Sequence, residues 1–452
     1  MDPSAPHAST PAAGTQLARS LRLGDVIRVS VSSVTPASSV VVILPAVLFS
    51  LHWGAPVALL LAGLLCVPIA ACYSSLGRRS PSAGGEWAFA RRVLGSGVAR
   101  ATFATTLVGA VLAIAAMLQG AAQLVAGILG TGGEMWTVVA FAAVVAVIAP
   151  QRVLHSARIT SVLLSIEIAA VLGIAVIGIV GFVESGISLE ACAGVAWASL
   201  ASLDGVQLLA SIAVTYFALA GFGSAVMLGE EDLASGRLAA RAVGWTLALT
   251  FALEFVALGG LLVGGWCGPV LPDEAGGLLT AVSALESSPP LQVAVLASAA
   301  IACLNAAIVI AMQGARVVFA AARDGLLPAR PSRSLRRLRV ASRAPLAATI
   351  VVVSAAGLTA ALLPADRVIA FASAALLVPP AVVAASRLGW KTGPSRVIGR
   401  WIAPCSALLG LALVAAFGIH ADPWAFAIPA VTWLVGLGYD RITRPGTRDN
   451  EV

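Results

Sequence analysis

Two carboxylates interrupt long apolar runs of this chain, Glu167 and Glu254. An ionised carboxylate at the middle of a bilayer costs about 2.5–3.5 kcal/mol or more, so each needs a donor, water or a proton. Glu167 sits nine residues into the apolar run at 158–182, roughly 13 Å deep at about 1.5 Å per residue. A glutamate there can take up and release a proton as its surroundings gain and lose water. Glu167 is therefore the candidate proton-coupling residue. A hydrogen-bonded structural acid is the expectation for Glu254, and helix–helix hydrogen bonding that for Asn305 and Gln313. Two backbone features could also do chemistry. The first apolar run carries Ser32, Ser33, Thr35, Pro36, Ser38 and Ser39; the sixth carries Ala220-Gly221-Phe222-Gly223 at its middle. Proline removes an amide donor and glycine weakens a helix interior. A helix broken at mid-membrane frees amide donors on one stub and carbonyls on the other. The donors suit a carboxylate and the carbonyls an ammonium.

The elements that must position these groups are membrane spans. Apolar residues make up 59% of the chain and charged residues 11%, with a mean hydropathy of +0.96. That leaves too little polar surface for a soluble domain of 452 residues. Apolar runs of about twenty residues match the thickness of a hydrocarbon core, and backbone polarity there is satisfied within helices. The runs lack the alternation of a barrel strand. Spans are predicted near 28–50, 54–76, 98–129, 134–150, 158–182, 206–229, 242–266, 290–322, 345–363, 367–386, 401–420 and 422–438. With that division, alternate connections and the span ends adjoining them hold 27 of the 28 Lys and Arg, leaving Arg367 on the other side. This bias predicts cytoplasmic termini and a multi-pass protein of the plasma membrane. It also accounts for the net charge of +7 and the basic stretch Arg330–Arg343 without nucleic acid.

The expected organisation is a disordered tail at 1–24, a core at 25–386, two added helices at 387–440 and a tail at 441–452. Within the core, interrupted first and sixth spans, each followed by four more, divide it into inverted repeats at about 25–184 and 205–386. The six cysteines form no CxxC pair and are expected to pack as small apolar groups, with one disulfide between Cys192 and Cys267, both near the outer face, left open as the alternative. The four histidines make no metal spacing. No metal or cofactor is expected. Glu230 and Glu231 close the sixth span where the helix dipole disfavours negative charge, so a cation such as Arg78, Arg79 or Arg323 is expected beside them.

Three stretches carry a family resemblance. They are Tyr73-Ser-Ser-Leu-Gly-Arg-Arg with Pro81-Ser-Ala-Gly-Gly-Glu-Trp87, then Phe217-Ala-Leu-Ala-Gly-Phe-Gly-Ser224 with Glu230-Glu231, and the run from Gly314 to Pro328. In order and at these spans, the chain resembles the amino acid–polyamine–organocation superfamily of permeases over nearly its whole length. The resemblance implies an all-α membrane protein of about twelve helices, with a LeuT-type 5+5 inverted repeat plus two C-terminal helices. It implies secondary transport of amino acids or related small amines by proton-coupled symport or exchange. Glu167 takes the place where some members carry a lysine thought to replace a bound sodium. The implied substrate-binding residues are Pro36, Ser38, Ser39, Phe217, Ala220, Gly221, Phe222 and Gly223. Two departures stand out. The first-helix G-S-G of the family falls on Ser38-Ser39-Val40, and the usual glutamate after Gly-Phe in the sixth helix is Gly223. Loss of that carboxylate argues for a neutral amino acid or small amine over a dicationic substrate.

No HExxH, GxSxG or Asp/His cluster supports a membrane-embedded enzyme. A substrate-binding sensor, or an obligate exchanger or exporter on the same fold, remains the alternative. The implied partners are a small-molecule substrate, a proton and the lipid bilayer. The sequence leaves the oligomeric state open.

Overall fold

The computed structural model describes residues 17, 19–130, 134–151, 153–265, 267, 289–339, 342, 344–390 and 397–443. Of the expected tails, 1–16, 18 and 444–452 lie outside these residues. The described chain is almost wholly helical, and its single β-bridge joins Leu21 to Asp232.

The first span runs from Leu23 to Leu51 in two pieces, α1 (Leu23–Val34) and α2 (Leu44–Leu51), with a short turn Pro36–Ser38 and a π-helical stretch Ser39–Ile43 between them. Then come α3 (Ala55–Gly77), the short α4 (Glu86–Val93), α5 (Ser96–Leu129), α6 (Glu134–Ile148) and α7 (Val153–Glu184). After α8 (Leu189–Ala201), the sixth span is α9 (Gly205–Leu219) followed by a 3₁₀ stretch, Phe222–Leu228. The second five continue as α10 (Arg237–Gly265), α11 (Pro289–Arg323), the short α12 (Ala329–Leu335), α13 (Leu346–Leu362) and a tenth span in two pieces, α14 (Ala365–Ala375) and α15 (Val378–Gly389). The last two spans are α16 (Val397–Ala421) and α17 (Pro423–Thr443). Among the described residues, eight stretches are long and apolar enough to cross a membrane, and with the shorter apolar helices the order reads as about twelve spans, five plus five plus two.

Lipid is the outer solvent. Leu64, Val67, Val162, Trp245 and Leu434 are all exposed large apolar side chains, a surface that water would not tolerate and acyl chains do. The long α5 packs on α11, α14 and α17 through the middle of the bundle. α7 and α10 pack backbone against backbone: a Cβ added at Gly264 would lie 2.6 Å from the Gly178 carbonyl oxygen, and one at Gly260 2.5 Å from Ala175 Cα. Small residues at such a seam let helices approach closely in lipid, where packing rather than water exclusion drives association.

Two features depart from the sequence reading. The connection expected across 183–205 contains α8, capped by Ser188, whose hydroxyl accepts from Ala191 N–H at 3.2 Å. α8 places Cys192 with its Cα 4.7 Å from that of Cys267, and the two form a disulfide rather than packing as free thiols. Cys66, Cys72 and Cys303 are free and buried, as small apolar groups are.

Candidate functional site

The two predicted helix breaks exist and touch each other. Thr35 has φ 53° and ψ 80°, a left-handed conformation rare for a β-branched residue. Pro36 behind it explains the location, because proline disfavours helical geometry in the preceding residue and then starts a helix well. In the sixth span, Ala220 is extended and Gly221 has φ 118°. A Cβ on Gly221 would meet Val34 Cγ2 at 3.1 Å and the Ser33 carbonyl oxygen at 3.3 Å. Glycine is required there twice, for its dihedral and for its contact with the first break.

Side chains tie the breaks together. Ser33 Oγ donates to Gln313 Oε1 at 2.8 Å, and Gln313 Nε2 donates to Ser224 Oγ at 3.1 Å. α11 thereby bridges the first and sixth spans. Ser39 Oγ lies 3.0 Å from the Ala218 carbonyl and 3.3 Å from that of Val34, linking the two broken helices from behind. Ser38 Oγ donates to the Thr35 carbonyl at 3.1 Å and also contacts Thr35 Oγ1.

A cavity of ≈ 120 Å³ opens at these breaks. A single water needs about 10–15 Å³ by this measure, so the space suits a small organic molecule. Phe217, Ala220, Gly221, Phe222 and Gly223 line it, as do Ser33, Val34 and Thr35. Pro36, Ser38 and Ser39 do not. They are buried one step further along the chain, where the two serines use their hydroxyls on backbone carbonyls. The wall on the first-span side is therefore Ser33–Thr35, because the chain breaks ahead of the proline. Several lining residues had no site role from the sequence: Tyr73, Glu86, Tyr216, Met117, Gln313 and Pro379-Pro380. The last pair was legible as an interruption, two prolines inside an apolar run at the α14–α15 joint. A larger groove of ≈ 590 Å³ between α3 and α10 is lined by Leu60, Leu64, Val67 and Trp245, all exposed on the lipid-facing surface.

Glu167 does not line the cavity. It is fully buried behind the first break, where Oε1 accepts from Ala37 N–H at 3.3 Å and Oε2 from Asn305 Nδ2 at 3.3 Å. It thus holds the short turn Pro36–Ser38, between the two pieces of the first span, from another helix. Glu254 is also fully buried, beside Ser39 and within electrostatic reach of Glu167. The Ser39 hydroxyl is committed to carbonyls, so neither Glu254 oxygen has a hydrogen-bond partner. Asn305 Oδ1 is likewise unpartnered.

One end of the bundle carries a set of ion pairs. Arg323 makes a two-pronged contact with Glu230, both arms at 2.9 Å, and Ala83 N–H donates to the same carboxylate at 2.9 Å. Burial opposes ionisation of Glu230, but Arg323 outweighs it and holds the carboxyl below the ordinary range. Of the three arginines expected at this turn, Arg323 takes the role and Arg78 and Arg79 do not. Glu231 pairs instead with Arg316 at 2.5 Å, both 1% exposed. The segment before α1 lies across this turn, with Ser20 and Leu21 N–H groups donating to the Glu231 carbonyl at 2.9 and 3.0 Å. Among the described residues, no cluster of His, Cys, Asp and Glu has metal-binding geometry.

A solved structure of similar fold is the crystal structure of MhsT in complex with L-phenylalanine. The match covers 88% of this chain and 100% of that one, at a TM-score of 0.62 and 17% identity. No curated protein sequence matches the chain significantly. The amino acid permease family matches residues 25–434, from the first turn of α1 into α17, with both helix breaks included. The chain belongs to the amino acid permease family.

Proposed function

We propose that this protein is a secondary active transporter that carries an amino acid or a related small amine across the plasma membrane, with its substrate held in the cavity between the two breaks. The observation that carries this reading is the meeting of the Thr35 and Gly221 breaks at the wall of one cavity. Polar groups spared from helix hydrogen bonding occur there in an otherwise apolar lining, the arrangement a small zwitterion needs. Pro36, Ser38 and Ser39 act by shaping the first break, while Phe217 and Ala220–Gly223 face the substrate.

Coupling to protons is the second part of the proposal. Glu167 bonds directly to the backbone of the first break, so its protonation state bears on the site without a side chain in the cavity. The 27-to-1 division of basic residues supports placing the end with the Glu230–Arg323 pair in the cytoplasm. Purified protein in proteoliposomes, screened for uptake of radiolabelled amino acids and amines with and without a pH gradient, tests the reading. Substrate-specific uptake that grows with an inward proton gradient is expected. Binding without flux would make the protein a sensor, and uptake only against preloaded substrate would make it an obligate exchanger.

A further inference from the structure

Glu86 opens α4, outside the spans, yet it is only 5% exposed and lines the central cavity. The Tyr73 hydroxyl donates to its Oε1 at 3.0 Å. Its Oε2 is buried with no partner, and among the described residues no arginine, lysine or histidine forms an ion pair with Glu86. A buried carboxylate with an unpartnered oxygen, on a residue that lines a cavity, is costly unless a proton or a cation meets it.

The position of this carboxylate bears on the missing glutamate of the sixth span. A Cβ on Gly223 would lie 2.6 Å from the Tyr73 ring. The ring packs edge-on against Phe222, with centroids 6.1 Å apart. No larger side chain fits at 223 while Tyr73 stands there, and the hydroxyl of that same tyrosine ends on Glu86. The negative group absent from the sixth span is thus supplied to the same cavity by another element. Glu86 also lies below the breaks. The neighbouring Gly85 abuts Met227, with a Cβ built there 3.0 Å from Met227 Cγ. Met227 is six residues past Gly221, roughly 12 Å along a 3₁₀ stretch at about 2 Å per residue. Apolar side chains, among them Ala113, Met117, Ile310 and Val317, line the same cavity.

We infer that Glu86 is a cation subsite of the cavity, taking the terminal ammonium of a substrate whose other end lies at the breaks and whose alkyl chain follows the apolar wall. The substrate class is then a basic amino acid or a linear diamine rather than a neutral amino acid. The inference rests on the transport site proposed above. It reverses the expectation drawn from Gly223.

The test compares lysine with norleucine, which has the same chain without the ammonium, by equilibrium binding to the purified protein. A hydrogen bond to a charged group contributes about 1.5–3 kcal/mol, so lysine should bind about tenfold or more tighter. Glu86→Gln should erase that ratio and leave norleucine unchanged, because the amide still accepts from Tyr73. Tyr73→Phe, which keeps the carboxylate, should retain the lysine preference, and a thermal melt of each variant controls for folding. Equal binding of lysine and norleucine by the wild type, or equal losses for both in Glu86→Gln, would overturn the subsite while leaving the transport site intact. Failure of the wild type to bind any amino acid or amine would overturn both.

Discussion

The carboxylate of Glu167 accepts a hydrogen bond from the backbone N–H of Ala37, two residues past the Thr35 break and 130 residues away in sequence. A neutral glutamine in its place can still accept that bond through its carbonyl oxygen, but it cannot exchange a proton. Glu167→Gln should therefore retain substrate binding and counterflow while losing accumulation driven by an imposed pH gradient. Uptake and counterflow in proteoliposomes, mutant beside wild type, check this. Undiminished gradient-driven accumulation would remove Glu167 from coupling. If Glu254→Gln showed the loss instead, the role would pass to α10.

Gly221→Leu should abolish substrate binding. The added side chain would collide with Val34 and the Ser33 carbonyl, and leucine disfavours the φ of 118° that the break needs. Ligand binding to detergent-purified protein measures the effect. Wild-type affinity in the variant would reduce the break to a packing kink.

Glu86 gives a pH dependence of defined sign. Burial raises its carboxyl to about 7, against the lowering effect of hydrogen bonds from its own backbone and from Tyr73. The folded state therefore holds a proton that the unfolded chain has lost between the ordinary carboxylate range and about 7. Its contribution to stability falls as pH rises across that interval and levels off above it. The other titratable side chains beside it in the cavity lining are the phenols of Tyr73 and Tyr216. Thermal melts from pH 5 to pH 8 should show a slope in the wild type that Glu86→Gln lessens. Parallel profiles would contradict the assignment.

Arg316→Leu should destabilise the protein by about 3–5 kcal/mol, because it strands the Glu231 carboxylate in a site 1% exposed. Adding Glu231→Gln to the same chain should recover a large part of that loss. Denaturation in detergent compares the three proteins. A double variant no more stable than Arg316→Leu would mean the pair is not the source of the cost.

Topology is tested by cysteine labelling. Ser334→Cys, on the exposed face of α12, should resist an impermeant thiol reagent applied to intact cells, and Glu190→Cys on α8 should react. Reaction at 334 from outside would invert the orientation.

The spans were legible because hydrocarbon thickness imposes a length and composition on each helix, and the breaks because Pro36 and Gly221 are local rules written at single residues. The partner of each charge was less legible. Arg323 beside Glu230 could be anticipated from the membrane face they share, but Arg316 lies inside α11, and only the packing of α11 against the sixth span shows that it meets Glu231. Glu86 sits in a recognisable motif, yet nothing local indicates that its side chain turns into the cavity through Tyr73. The Cys192–Cys267 pair depends on α8, a helix too short and too neutral in pattern to stand out between two spans.

The glycine seam between α7 and α10 has a mechanical consequence. Helices joined backbone to backbone at Gly178, Gly260 and Gly264 leave no side-chain layer to slide on, so they travel as one plank. Glu167 stands on one of these helices and Glu254 on the other. The separation of the two carboxylates is accordingly fixed through any rocking of the bundle. In such a motion, what would change is which neighbours, and which water, move past them.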